Sequence, residues 1–135
     1  MIKSQNIILK NCNILISDGD NSSNEVNGGS AMVKILNTND FNKEIENKEV
    51  SIVDFFATWC GPCKMLAPVF EDLSNEMDGS VGFYKVDIDQ SLELAQRYGI
   101  NTVPTMLISK NEEVVDQIIG FVPKENIKAK INQQL

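Results

Sequence analysis

Val50-Ser51-Ile52-Val53-Asp54-Phe55-Phe56-Ala57 leads, after Thr58, into Trp59-Cys60-Gly61-Pro62-Cys63 and then Lys64-Met65-Leu66-Ala67-Pro68-Val69-Phe70-Glu71-Asp72-Leu73. The reading of these three segments decides the fold. The first is an apolar run of strand length broken by one carboxylate, Asp54, so it reads as a central strand covered on both faces. The third reads as a helix. The cysteines therefore stand where a buried strand turns into a helix N-terminus. Unpaired backbone N–H groups and the positive end of the helix dipole favour an anion there, and so thiolate over thiol. Cys60 is at the mouth of the helix and Cys63 one turn in, a spacing that puts both sulfurs on one face, close enough to bond.

Upstream, Val33 to Leu36 is a short strand, and Thr38 or Asn39 is the expected cap of a helix with Phe41 and Ile45 on one face. Downstream, the cysteine helix runs to about Met77 with Pro68 in its interior, and Val81 to Val86 is the next strand. Leu92, Ala95 and Tyr98 mark a short helix stopped by Gly99. Thr105 to Ile108 and Val114 to Ile119 are strands joined by the hairpin-length turn Ser109-Lys110-Asn111-Glu112-Glu113. Pro123 opens the last helix, in which Ile127, Ile131 and Leu135 repeat on an inner face. The order β-α-β-α-β-α-β-β-α implies an α/β protein with a mixed sheet and helices on both faces.

At 135 residues and 42% hydrophobic, the chain can build one compact core. A net charge of −7 with no basic cluster argues against nucleic-acid or anionic-membrane partners. The start of the chain has apolar runs of only a few residues, too short for a secretory signal or membrane span. Three cysteines, two of them in a CxxC, make no secreted disulfide framework and point to a reducing cytoplasm. The chain has no histidine, which removes Ser-His, Cys-His and histidine-ligated metal chemistry together. A zinc knuckle or iron–sulfur site is short of ligands for the same reason, so no metal is expected.

Residues 1–31 read separately, as an N-terminal extension. Ile7-Ile8-Leu9 and Ile14-Leu15-Ile16 flank Lys10-Asn11-Cys12-Asn13 in the manner of a small hairpin, and Asp18 to Ser30 is a polar linker. The extension reads as a docking arm, a fusion remnant, or sequence upstream of a natural start at Met32.

Residues 32–135 closely resemble the thioredoxin family. The resemblance rests on the WCGPC motif at 59–63 together with Asp54, Pro68, Tyr84-Lys85-Val86-Asp87-Ile88-Asp89, Tyr98-Gly99-Ile100, Val103-Pro104-Thr105 and Gly120. A lone CxxC would not suffice, because metal sites use it too. The resemblance implies the thioredoxin fold, a central mixed five-stranded sheet flanked by four helices, with the N-terminal extension outside it. It also implies a monomeric protein-disulfide reductase whose only redox group is the Cys60–Cys63 disulfide, with no bound cofactor. Its partners would be disulfide-containing proteins and a thioredoxin reductase, a flavoenzyme fed by NADPH or ferredoxin.

Residue by residue, Cys60 would be the attacking nucleophile and Cys63 the resolving thiol. Asp54, behind the pair, would carry a raised pKa and accept a proton from Cys63, with Lys85 on the adjacent strand as its counter-charge. The plainer readings are an Asp54 that escapes to solvent and a Lys85 that is simply exposed. The Val103–Pro104 bond would be cis and face the cysteines, leaving the Val103 backbone free to pair with an extended substrate. Trp59, Val103, Gly120 and Phe121 would form an apolar rim around Gly61 and Pro62 to receive partners, unless Trp59 is core.

Gly61-Pro62 lacks the histidine common between the cysteines of oxidising relatives, so no cationic donor stabilises the thiolate and the dithiol should be a good reductant. An oxidase or isomerase on the same fold, or a binding module tethered by residues 1–31, are the rivals. Two positions depart from the family pattern: Phe56, where some members have a second tryptophan, and Glu112, where glycine is usual. If position 112 needs positive φ, glutamate there costs on the order of 1 kcal/mol.

Overall fold

The structure, a computed structural model, describes residues 33–77 and 79–135. The expected hairpin at 7–16, the linker at 18–30, Cys12 and the reading of residues 1–31 as a separate extension lie outside the described residues.

Five strands and four helices alternate as the sequence implies. They are β1 (Val33–Ile35), α1 (Thr38–Glu46), β2 (Val50–Phe56), α2 (Gly61–Glu76), β3 (Gly82–Asp87), α3 (Leu92–Arg97), β4 (Thr105–Lys110), β5 (Glu113–Ile119) and α4 (Lys124–Asn132). The sheet order is β1-β3-β2-β4-β5. β3 runs parallel to both β1 and β2, whereas β4 is antiparallel to β2 and to β5. This is the thioredoxin fold. β2 takes the centre because its residues are apolar on both faces, and each face is covered. Ile52, Phe83, Met106 and Ile108 pack under Leu66, Phe70 and Leu73 of α2 and Ile127 and Ile131 of α4. Val53, Phe55, Val86 and Leu107 pack under Phe41 and Ile45 of α1 and Leu94 of α3. Alternate residues of each strand thus serve opposite cores, as the period of two requires.

Several local expectations need correction. Asn37, not Thr38 or Asn39, caps α1: its side chain accepts from the Asp40 N–H at 2.9 Å. Leu36 still donates its N–H to the Lys85 carbonyl at 2.8 Å, so Asn37 is the first residue free of the sheet. Leu92 is exposed, and α3 turns Leu94 and Ala95 inward instead. Leu135 is also exposed, because α4 ends at Asn132 before the apolar repeat is complete. The β4–β5 turn is tighter than the five residues expected, with Lys110 paired to Glu113 across Asn111-Glu112. Both turn residues have positive φ, 52° and 74°, as a type I′ hairpin demands. The conditional strain at Glu112 is therefore present. No described helix is long and apolar enough to cross a membrane.

Candidate functional site

The site lies at the C-terminal end of β2, where the chain leaves the sheet and starts α2. Cys60 has extended backbone angles (φ −93°, ψ 118°) and serves as the N-cap of α2. Its Sγ accepts from the Cys63 N–H at 3.1 Å, so one of the unpaired donors of the helix start points at sulfur. Pro62, in the first turn, lacks an N–H that the helix would leave unpaired in any case. The turn geometry brings the Cys60 and Cys63 Cα atoms to 5.3 Å, and the two sulfurs are joined in a disulfide. Both cysteines are buried and pack with Ala57, while Gly61 and Pro62 between them are exposed.

A second segment reaches the sulfurs from the loop before β4. The Val103–Pro104 peptide is cis, and the Val103 carbonyl oxygen lies 3.7 Å from Cys60 Sγ. The loop is held by Thr105 Oγ1 donating to the Thr102 carbonyl at 2.6 Å, and by the Gly120 N–H donating to the Pro104 carbonyl at 2.8 Å. Gly120, at φ 87°, takes a conformation that L side chains rarely adopt. Thus the end of β5 is fastened to the loop that faces the cysteines. Next to it Phe121 is exposed.

Trp59 is not core: 68% of it is exposed. Its indole N–H donates to Asp89 Oδ2 at 2.9 Å, tying the tryptophan to the loop after β3. The sequence reading missed Asp89 as that partner. The available signal was the Asp87-Ile88-Asp89 run, in which Asp87 Oδ1 accepts from the Asp89 N–H. Met65 at the start of the second turn of α2 and Ile119 beside Gly120 are further exposed apolar residues that it did not single out.

Asp54 is completely buried, which excludes the solvent-seeking alternative. It sits between Ile52 and Phe56 on the β2 face that α2 covers. Neither carboxylate oxygen has a hydrogen-bond partner among the described residues. Desolvation pushes its pKa up from the ordinary 3.8 to about 7, against the opposing pull of the Lys85 charge. Lys85 is its register partner on β3, yet the two form no ion pair; the ammonium lies 4.6 Å from the centroid of the Phe56 ring. Among the described residues no group of three histidine, cysteine, aspartate or glutamate side chains is placed to hold a metal ion.

A strand-to-helix CxxC disulfide faced by a cis-proline loop, with a buried carboxylate on the strand that leads into it, defines a thiol–disulfide oxidoreductase. The sequence model of the thioredoxin family matches residues 32–133. A thioredoxin of Staphylococcus epidermidis is 43% identical over 105 residues, covering 78% of this chain and 99% of its own. One from Staphylococcus aureus is 40% identical over the same shares of both chains. Among solved structures, a Malassezia sympodialis thioredoxin superposes with a TM-score of 0.71 at 39% identity, over 77% of this chain and 91% of its own. A mutant thioredoxin from Halobacterium salinarum gives the same TM-score at 28% identity, over 78% of this chain and 91% of its own. The chain belongs to the thioredoxin family.

Proposed function

We propose that the chain reduces disulfides in other proteins and is recharged by a flavin-dependent thioredoxin reductase. The observation that carries this reading is the Cys60–Cys63 pair at the α2 N-terminus with the Val103 carbonyl against Cys60. In the reduced state the Cys60 thiolate attacks one sulfur of a substrate disulfide and releases the other as a thiolate. A mixed disulfide on Cys60 remains. The Cys63 thiol then gives its proton to Asp54 and attacks Cys60 Sγ, expelling the second substrate sulfur. Two electrons pass from the dithiol to the substrate, and the Cys60–Cys63 disulfide is regenerated.

The Val103 backbone offers an edge for an extended substrate segment, and Trp59, Gly61, Pro62, Gly120 and Phe121 supply the surrounding contact surface, while Pro104, itself buried, fixes the Val103 peptide. Lys85 serves as counter-charge when Asp54 ionises. Reduction rather than oxidation is favoured because neither Gly61 nor Pro62 can donate a cationic hydrogen bond to a thiolate. We assign the protein as a monomer working in a reducing cytoplasm, with no bound cofactor. Insulin reduction in the presence of a thioredoxin reductase and NADPH tests the reading. Sustained turnover is expected. Efficient oxidation of dithiols with no turnover as a reductant would overturn it in favour of an oxidase.

A further inference from the structure

We propose that Phe56 is a positioning residue that holds Lys85 in place beside Asp54 and so helps set the proton affinity of the acceptor; this rests on the reading of Asp54 given above. The argument starts from the sheet. Asp54 and Phe56 are two apart on β2 and share a face, and Lys85 stands opposite Asp54 in the parallel β2–β3 register. The lysine ammonium is strongly hydrated and its stem flexible, so a lysine on a half-exposed strand normally extends into water. Here its Nζ rests over the Phe56 ring at 4.6 Å from the centroid, within cation–π range. Among the described residues the ammonium makes no ion pair or hydrogen bond that would hold it instead.

The consequence falls on Asp54, whose two oxygens have no hydrogen-bond donor among the described residues. Its ionised form therefore depends on a charge acting across space, and Lys85 is the one that does so. The other groups nearby do not replace it. The register partner on β4, Met106, is apolar, and the two cysteine sulfurs are bonded to each other. Lys64 of α2 is exposed to solvent, and Asp87, opposite Phe56 on β3, has the wrong sign to help. From α4, Lys124 and Lys128 are engaged by Glu76 and Lys130 by Asp116. Released from the ring, the Lys85 ammonium would move into water, where its attraction for a buried carboxylate falls several-fold with the rise in dielectric. Asp54 would then ionise at higher pH.

Phe56 has a second contact with the opposite sign. Its ring packs against the Ala57, Cys60 and Cys63 cluster on one side and lines an open groove with Ile35, Leu36 and Thr58 on the other. If the ring merely kept water out, removing it would hydrate Asp54 and lower the midpoint. The direction of the shift therefore separates the two roles.

The test is a carbon-13 NMR titration of the Asp54 carboxyl in the oxidised protein, for wild type, Phe56→Leu, Phe56→Met, Phe56→Trp, Lys85→Met and Phe56→Leu/Lys85→Met. Losing the ring in either apolar variant is expected to raise the midpoint by about half a pH unit, the scale of one cation–π contact. Phe56→Trp should keep the wild-type value or fall below it. Lys85→Met should raise the midpoint, and adding Phe56→Leu to it should raise it no further. The pH for half-maximal attack by Cys63, from single-turnover mixing, should move in parallel. An unchanged or lowered midpoint in the apolar variants overturns the proposal, as does an equal rise in the Lys85→Met background. A wild-type midpoint near 4 would instead overturn the proton-acceptor reading of Asp54, and this one with it.

Discussion

Replacing Asp54 by asparagine should make the protein more stable and slower at once, and the size of the gain should depend on pH. In the folded protein the carboxyl is fully buried with no hydrogen-bond partner among the described residues, and its pKa rises from 3.8 to about 7. A group whose folded pKa is raised binds more protons in the native state than in the unfolded one. Its stabilising contribution is complete below the unfolded value near 3.8 and is lost as pH rises through about 7. At roughly 1.4 kcal/mol for each tenfold change in proton affinity, the loss across that window has a ceiling of about 4 kcal/mol. The amide cannot ionise, so its own burial penalty is the same at every pH.

The stability difference between Asp54→Asn and wild type should therefore widen by about 2–4 kcal/mol between pH 4 and pH 8 and stay flat above that. Denaturant midpoints of the oxidised forms, taken at half-unit steps from pH 4 to 9, give this difference directly, and every other carboxylate cancels. Kinetics should move the other way. The amide cannot take a proton from Cys63, so release of the mixed disulfide should slow, most of all below neutral pH, while the first attack by Cys60 changes little. A stability difference that does not vary with pH, together with an unchanged release rate, would refute the argument and leave the mechanism without its base.

Cys63→Ser should accumulate partner proteins as mixed disulfides on Cys60, whereas Cys60→Ser should capture almost none; equal capture on non-reducing gels would reverse or void the assignment. Glu112→Gly should raise stability by about 0.5–1 kcal/mol in a denaturant titration, because glycine carries no steric penalty at the observed φ of 74°. Removing residues 1–31 should leave insulin reduction within about twofold of the full chain, since every side chain placed in the mechanism lies beyond Met32. A large loss would make the extension part of the working unit.

Much of the site was legible in the sequence because its informative features are local. Strand-to-helix placement of Cys60 and Cys63 follows from an apolar run, a glycine, a proline and a helical pattern that adjoin one another. A lone carboxylate in Val50–Ala57 announced its own burial for the same reason, since the neighbours that desolvate it include those beside it in the chain. Pro123, Ile127 and Ile131 likewise marked the start and inner face of α4.

What the tertiary structure alone decided depends on segments that meet from far apart in the chain. The sheet order β1-β3-β2-β4-β5 places Lys85 beside Asp54, but whether the two would form an ion pair was not a matter of register. The ammonium instead lies 4.6 Å from the centroid of the Phe56 ring, an outcome set by side-chain directions on two strands. In the same way Asp89 engages Trp59 and Gly120 engages Pro104 only once the loops are brought together. Leu92 and Leu135 fit a helical repeat yet are exposed, because periodicity tells which residues share a face but not where a partner surface or the helix itself ends.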